Sequence, residues 1–467
     1  MIDPLAYTRR SEKKTRIGIF RIACCALSIL YFFPGLRDPV FAEPTNPPAP
    51  DLNAIEERIT KGPGLSDLLD YAYQASPMIR AGREGWAESL SLPRVKTAYP
   101  DPQVSVIYWP ESIADDLNDK KVEAMISQTI PFPGKLSAAG KAAQAESQVR
   151  RIELDRNIRD TGTAIRESFH ELSYIQKATK IAGQTQALLA RLTTNSETAA
   201  AQNRAALIDV MKAKSQAAQS AYDVLLLSDL EKTEIARLNA LLNRPPEAPI
   251  GPVAGEAMRS VVFTLHEIYA LAQKNREEIR MARAEMEKSS AEVSVARYET
   301  LPEFMLGVIF ESTAPESPDN SRENMTGVQF GMTIPLWWGK NTGRMDASRA
   351  ALEKAKAMTV VQTNETLAAV RETWFRLQTA ERLVVLYREQ LIPQALKAVK
   401  TAETWFREGE GSFSDAAETE SVWYNFQLAL ARAGADHGKY LARLEALAGR
   451  HLTEKDPAAP AEPKEAP

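Results

Sequence analysis

Cysteine is almost missing from this chain. Cys24 and Cys25 are the only two among 467 residues, and both fall within the first 42. A chain processed after residue 42 has no disulfide and no thiolate metal site. Histidine is also scarce: His170, His266, His437 and His451 are the only four, and no two share ligand spacing. Each is expected on a helix surface rather than on a metal. Met281 and Met286 sit near one another on a predicted helix, where a core role is expected. There is no nucleophile elbow, phosphate loop or zinc-protease signature. No catalytic site, metal site or cofactor is therefore assigned. Glycine is sparse, with 22 residues, which favours long helices.

Long apolar runs are scarce too. One lies near the start, from Ile22 to Phe33, behind the basic residues Arg9, Arg10, Lys13, Lys14 and Arg16. It is short for a membrane span, which needs about 20 residues. With Val40-Phe41-Ala42 behind it, residues 1–42 read as a signal peptide cleaved after Ala42. A lipid-attachment cysteine normally follows the apolar run, whereas Cys24 and Cys25 sit at its beginning. Processing removes seven basic and three acidic residues, leaving 50 against 58 and a net charge of −8. That balance argues against nucleic acid as a partner.

What is present is a duplication. Leu65-Ser66-Asp67-Leu68-Leu69 aligns with Leu265-His266-Glu267-Ile268-Tyr269, Pro102 with Pro302, and Ile130-Pro131-Phe132 with Ile334-Pro335-Leu336. Gly134-Lys135 aligns with Gly339-Lys340, and Leu207-Ile208-Asp209 with Phe413-Ser414-Asp415. Five matches in one order, at a slowly drifting offset near 200 residues, identify an internal repeat. The organisation read from this is a signal peptide (1–42), a proline-rich N-terminal extension (43–64), a first repeat (65–250), a second repeat (251–453) and a disordered tail (454–467).

Each repeat reads as a helix, a pair of strands, a very long helix, a turn and another long helix. The first helices are predicted from Leu65 to about Thr97 and from Leu265 to about Thr300. Period-two alternation predicts the strands: Val104–Trp109, Val122–Ile130, Phe304–Phe310 and Val328–Ile334. Val370, Leu377, Val384, Leu391, Ala398 and Trp405 recur every seven residues, as helices wound on neighbours require. The helix from Ser137 to about Asn195 would run roughly 85–90 Å. Pro393 falls inside such a helix and should bend it or cost a hydrogen bond.

The strands have nearly the length that crosses a bilayer when tilted. Each pair carries one apolar face, and Tyr108, Trp109, Phe132, Trp337 and Trp338 cluster near the ends, as in interfacial belts. Four strands cannot close a barrel, and open edges in lipid leave backbone groups unpaired. The sequence therefore predicts a barrel shared between chains. Pro131, Pro133 and Pro335 end the ladders, and Gly134 and Gly339 are expected to permit the turns into helix. At the second tip Gly409 and Gly411 suit a tight turn, and Ser412 or Ser414 can cap the next helix with Asp415 in its first turn.

The segment Gln128-Thr129-Ile130-Pro131-Phe132-Pro133-Gly134-Lys135-Leu136, repeated as Thr333-Ile334-Pro335-Leu336-Trp337-Trp338-Gly339-Lys340, resembles a junction of the TolC family of outer-membrane efflux proteins. Leu391-Ile392-Pro393-Gln394-Ala395 and Phe406-Arg407-Glu408-Gly409 are similar to family features as well. The junction looks like that of the branch serving heavy-metal and other resistance-nodulation-division (RND) pumps. The resemblance implies a mainly α fold with a transmembrane β part. In it a duplicated long-helix coiled-coil protomer gives four strands to a trimeric 12-stranded barrel in outer-membrane lipid, above a periplasmic α-barrel. It implies a homotrimer working with a periplasmic adaptor (membrane fusion) protein and an inner-membrane RND-type pump. Arg204, Leu207 and Asp209 at the first tip, and Arg407, Gly409, Gly411, Ser412 and Asp415 at the second, are the implied adaptor-contact and gate residues. Pro131, Pro133, Gly134, Pro335 and Gly339 are the implied barrel-to-tunnel junctions. The first tip lacks the second's glycines, and Ala199-Ala200-Ala201 is expected to continue its helix. The competing reading is a periplasmic helical adaptor or scaffold, which would need neither the repeated junctions nor the alternating strands.

Overall fold

A computed structural model describes residues 52–108, 120–201, 207–313, 324–408 and 410–454. The predicted signal peptide, both cysteines, Trp109, Arg204, Gly409 and nearly all of the predicted tail lie outside the described residues.

The same order of elements occurs twice. The first pass runs through α1 (Leu52–Lys61), α2 (Leu65–Ala75), α3 (Pro77–Thr97), β1 (Gln103–Tyr108), β2 (Lys120–Ile130), α4 (Lys135–Ala201) and α5 (Leu207–Leu241). The second runs through α6 (Leu265–Asn275), α7 (Glu277–Tyr298), β3 (Phe304–Thr313), β4 (Asn324–Met332), α8 (Trp338–Leu386), α9 (Ile392–Glu408) and α10 (Phe413–Ala448). At about 1.5 Å per residue, the 67 residues of α4 span about 100 Å. The helix runs through Ala199, Ala200 and Ala201. It is longer than the Ser137–Asn195 reading at both ends.

Each predicted opening helix is broken in two. Ser76 is extended, at φ −65° and ψ 123°. It precedes Pro77, whose ring disfavours helix in the residue before it. Arg276 breaks the second at φ −57° and ψ 124° without a proline, its N–H still bonded to the Ala272 carbonyl at 3.0 Å. Beyond each break the helix turns to pack along its neighbour.

Two apolar cores hold the base of the helices, built from equivalent positions. The first joins Leu68, Ala72, Ile165, Leu172, Leu238 and Leu242. The second joins Ile268, Ala272, Val370, Leu377, Leu444 and Ala448. Helix α1 places Ile55 and Ile59, one turn apart and fully buried, into the first core. Between α4 and α10 the contact is largely ionic: Arg166 meets Glu445 at 2.8 Å, Glu171 meets Arg432 at 2.9 Å and Lys439, and Glu167 meets Arg443.

The heptad seam holds at Val370, Leu377 and Val384, all buried. It then departs from the prediction. A wide turn of π geometry spans Tyr387–Leu391, directly before Ile392 and one residue short of Pro393. Proline lacks the N–H that would close an ordinary turn, and its ring crowds the carbonyl four residues back. Beyond it the buried positions are Ala395, Val399 and Ala402, whereas Ala398 and Trp405 face outward. The step from Val384 to Ala395 is eleven residues rather than seven.

Candidate functional site

The four strands form one antiparallel sheet in the order β1-β2-β3-β4. Its central pair joins the two repeats: Ile130 lies opposite Phe304, Ile126 opposite Val308 and Ala124 opposite Phe310. Residues directly opposite in such a ladder share a face. One face therefore carries Val104, Val106 and Tyr108 from β1, Ile126 and Ile130 from β2, Leu306 and Val308 from β3, and Val328, Phe330 and Met332 from β4. All ten are exposed, Val328 to 77%. The other face mixes Ser105, Glu123, Ser127, Thr129, Gly307, Gly327, Gln329 and Gly331 with Ile107, Met125, Met305 and Ile309. Phe132, Phe304 and Phe330 stack in a row, with centroids 6.4 and 6.2 Å apart.

Strand β4 ends at Met332, so Ile334 belongs to the link that follows. A few hundred square ångströms of contiguous apolar surface is already unusual on a soluble monomer. Among the described residues a whole sheet face is uncovered here, and β1 and β4 each leave an outer edge without a partner strand. Among the described residues no helix is long and apolar enough to cross a membrane.

The sheet passes into the helices at two unlike junctions. At the first, Pro131 and Pro133 end the ladder and Gly134 turns at φ +93°. A Cβ there would stand 2.7 Å from the Tyr298 hydroxyl. The Lys135 N–H donates to the Phe132 carbonyl at 3.0 Å, and its ammonium pairs with Glu303 at the foot of β3. At the second, Thr333 binds Glu303 by two backbone-directed hydrogen bonds of 2.8 Å, and Pro335 follows. Here the turn is made at Trp337, at φ −87° and ψ 78°. Gly339 already lies inside α8 with open space around it, so its lack of a side chain is not what permits the turn. Trp337 and Trp338 stand 77% and 78% exposed at this rim.

The other ends of the long helices form two tips. At the first, α5 opens with Leu207, Ile208 and Met211 exposed as an apolar cap, and Asp209 lies in its first turn. At the second, Gly411 passes within van der Waals reach of Trp405, its N–H bonded to the Trp405 carbonyl at 3.1 Å. The Ser412 hydroxyl accepts from the Asp415 N–H at 3.1 Å, and the Asp415 carboxylate accepts from the Ser412 hydroxyl at 2.8 Å. Asp415 is thus engaged in a reciprocal cap. Behind the tips, Leu189, Leu192, Ala213 and Ala417 pack with Phe406, joining the two hairpins.

Two of the four histidines are not on the surface. His437 is buried, and His170 lies so close to Gly438 that a Cβ there would meet its ring at about 2.4 Å. They face each other across α4 and α10, 267 positions apart in the chain. Burial, helped by His437 and Lys439, pushes His170 down to about 4, and burial lowers His437 as well. A histidine with a depressed pKa stabilises the fold above its unfolded value near 6.5 and loses that contribution as pH falls toward 4. The melting midpoint is expected to drop from pH 6.5 to 4.5 less steeply in H170Q than in the wild type. Equal slopes in a pH series of thermal melts would remove His170 from the account. Among the described residues no cluster of three metal-ligating side chains occurs.

Residues 268–450 match the family model described as outer membrane efflux protein (OEP). No curated protein sequence matches the chain. Among solved structures, the fold is similar to the outer membrane protein VceC of Vibrio cholerae, at 17% identity and a TM-score of 0.68, covering 83% of this chain and 96% of that one. It is similar to the CmeC outer membrane channel of Campylobacter jejuni, at 12% identity and a TM-score of 0.71, covering 84% and 87%. It is also similar to the MtrE outer membrane channel of Neisseria gonorrhoeae in its open state, at 15% identity and a TM-score of 0.65, covering 83% and 89%.

Proposed function

We propose that this chain, whose second repeat matches the outer membrane efflux proteins and whose fold is that of outer-membrane channels, is one protomer of a trimeric efflux conduit. The observation that carries this reading is the uncovered apolar sheet face with two open edges. A sheet of this kind is stable in lipid only when its edges are paired. Three copies joined edge to edge supply twelve strands, with the apolar face outward and the glycine- and serine-bearing face lining water. The long helices then continue below the membrane as an α-barrel, with Pro131, Pro133, Gly134, Pro335 and Gly339 at the passage from one barrel to the other.

In this reading the tips meet a periplasmic adaptor fed by an inner-membrane pump of the RND type. The exposed Leu207 and its neighbours present an apolar contact, with Arg204 and Asp209 beside them in the sequence. Arg407, Gly409, Gly411, Ser412 and Asp415 shape the second contact and the gate. The conduit itself performs no chemistry, and metal ions are one cargo the resemblance implies. The native host should carry the protein in its outer membrane. Gentle detergent extracts should contain particles of about three protomer masses by light scattering, and these should conduct ions across planar bilayers. A soluble periplasmic monomer would sink the conduit and favour a helical scaffold.

A further inference from the structure

A cavity of about 520 Å³ lies where α4, the link between α5 and α6, the π turn and α10 meet. That is room for a small organic molecule. Ile181, Met258, Val384, Leu430 and Leu441 give its wall an apolar part. Its charged part is one-sided. Lys177 and Lys180 come from α4, Arg259 from the link and Arg388 from the π turn, against one carboxylate, Glu256. Among the described residues none of these four cations forms an ion pair.

Exposed cations alone make only a solvated surface. The buried groups between them carry the argument. His437 is 3% exposed and Ser173 5%, and both line the cavity. Among the described residues neither side chain has a hydrogen-bond partner, yet their polar atoms are not closed to water. They open into the cavity. Polar groups this deep are normally paired, and an unpaired one is costly. A Cβ at Gly255 would stand 2.6 Å from the Lys177 Nζ and 3.5 Å from the Ser173 Oγ, so an ammonium and a free hydroxyl lie close together on the wall. His170 lines the cavity beside His437. Each neutral imidazole offers one N–H donor and one bare nitrogen.

The wall selects its occupant. An inorganic anion would meet the cations and leave the apolar side chains wet. A neutral apolar molecule would do the reverse. An acidic head on an apolar body satisfies both, and guanidinium and ammonium groups suit a carboxylate head. Space for the body exists in front of Gly434, where a Cβ would meet nothing within 4 Å.

We propose that this cavity binds a small organic carboxylate with an apolar body. The head sits at Lys177 and Ser173 in the field of Lys180, Arg259 and Arg388, and the body lies along α10 at Gly434. The occupant touches both the link between the repeats and the π turn. The inference concerns one chain and stands whether or not three chains form a conduit.

The test uses the purified protein in detergent and Tris buffer at pH 7.5, titrated calorimetrically with naphthoate, the heat of empty micelles being subtracted. One site per chain is expected, with a Kd on the order of 0.1 mM for a probe of this size. Binding should weaken as sodium chloride rises, because the cations are exposed. The neutral isostere naphthamide should bind at least tenfold more weakly. G434L fills open space and replaces a glycine within a helix, so it should melt no lower than the wild type and should bind neither probe. K177Q/R388Q should fold and lose about tenfold in affinity for naphthoate, approaching the level of the amide. Naphthoate bound by G434L at wild-type strength overturns the proposal. So does naphthamide bound as tightly as naphthoate, or a wild-type signal no larger than that of micelles.

Discussion

Replacing Arg159 with alanine is expected to destabilise the fold by about 3–5 kcal/mol, the usual cost of removing one partner from a buried ion pair. Arg159 projects from α4, 11% exposed, onto the start of α7. Its guanidinium donates to Glu278 at 2.6 and 2.9 Å, to Asp160 at 2.7 Å, and at closer range to Glu277. Arg276 meets Glu278 from the other side at 2.6 Å. Burial alone would raise the Glu278 carboxyl, but the Arg159 hydrogen bonds and the Arg276 charge outweigh it and hold it below its ordinary value. Truncation takes from Glu277, 13% exposed, its Arg159 ion pair. The pH dependence has a definite sign. In the wild type, a depressed carboxyl contributes stability that is present above the unfolded value near 4.5 and lost as pH falls through the folded one. In R159A the Glu278 carboxyl keeps Arg276 but loses the Arg159 hydrogen bonds that hold it down, so it takes up a proton more readily. The gap between variant and wild type should therefore be wide at pH 7.5 and narrower at pH 4.5. A gap that is small at neutral pH, or independent of pH, would show that the cluster contributes little.

Gly251→Val is expected to release α1. The loop after α5 brings Gly251 against the end of α1, its N–H bonded to the Ile59 carbonyl at 3.0 Å. A Cβ there would lie 2.5 Å from the Gly62 nitrogen and the Lys61 carbonyl carbon. Both are backbone atoms, so no rotamer change relieves the clash. If α1 leaves, Ile55 and Ile59 leave the first core, and each buried isoleucine is worth about 1.5–3 kcal/mol. A loss of about 3–6 kcal/mol should follow, well above that of an ordinary surface substitution. Brief trypsin treatment should cut G251V after Arg58 and Lys61 while sparing the wild type, read by intact mass. Resistance equal to the wild type would mean that the loop can shift and that the contact is dispensable.

The strands and long helices were legible because each repeats one simple period. Strand alternation placed β1 to β3 to within a few residues. The ladder joining the repeats then put the predicted apolar positions on one face, as period two requires. The break at Ser76 was written in Pro77. The break at Arg276 has no such mark, because it is enforced by packing: Arg276 donates to the Ala446 carbonyl at 2.8 Å, a contact 170 positions away. The same distance hid the charged cluster. Arg159 and Glu278 are ordinary helix-surface residues in a local reading, and only the crossing of α4 and α7 buries them. His170 and His437 were misplaced for that reason. The cavity beside the π turn was equally hidden, since Ser173, Arg259, Arg388 and His437 lie far apart in the chain and only the fold brings them together. The cap of the second tip was legible as one of two serines, Ser412 or Ser414, because the cap and Asp415 lie within three positions of each other in the chain; the structure uses Ser412.

The eleven-residue step at the π turn has a mechanical meaning. A seam repeated every seven residues winds two helices into a left-handed supercoil, and four extra residues relax that winding locally. Between Val384 and Ala395 the α8–α9 strut is therefore closer to an untwisted rod. The turn there is wider than an α turn, and its hydrogen bonds are less well formed. Torque applied at the Gly411 tip is therefore expected to be taken up in that short stretch before it reaches the sheet. A rotation of the tip hairpin about its own axis is then expected to leave Val370 and Leu377, and the core they anchor, where they are.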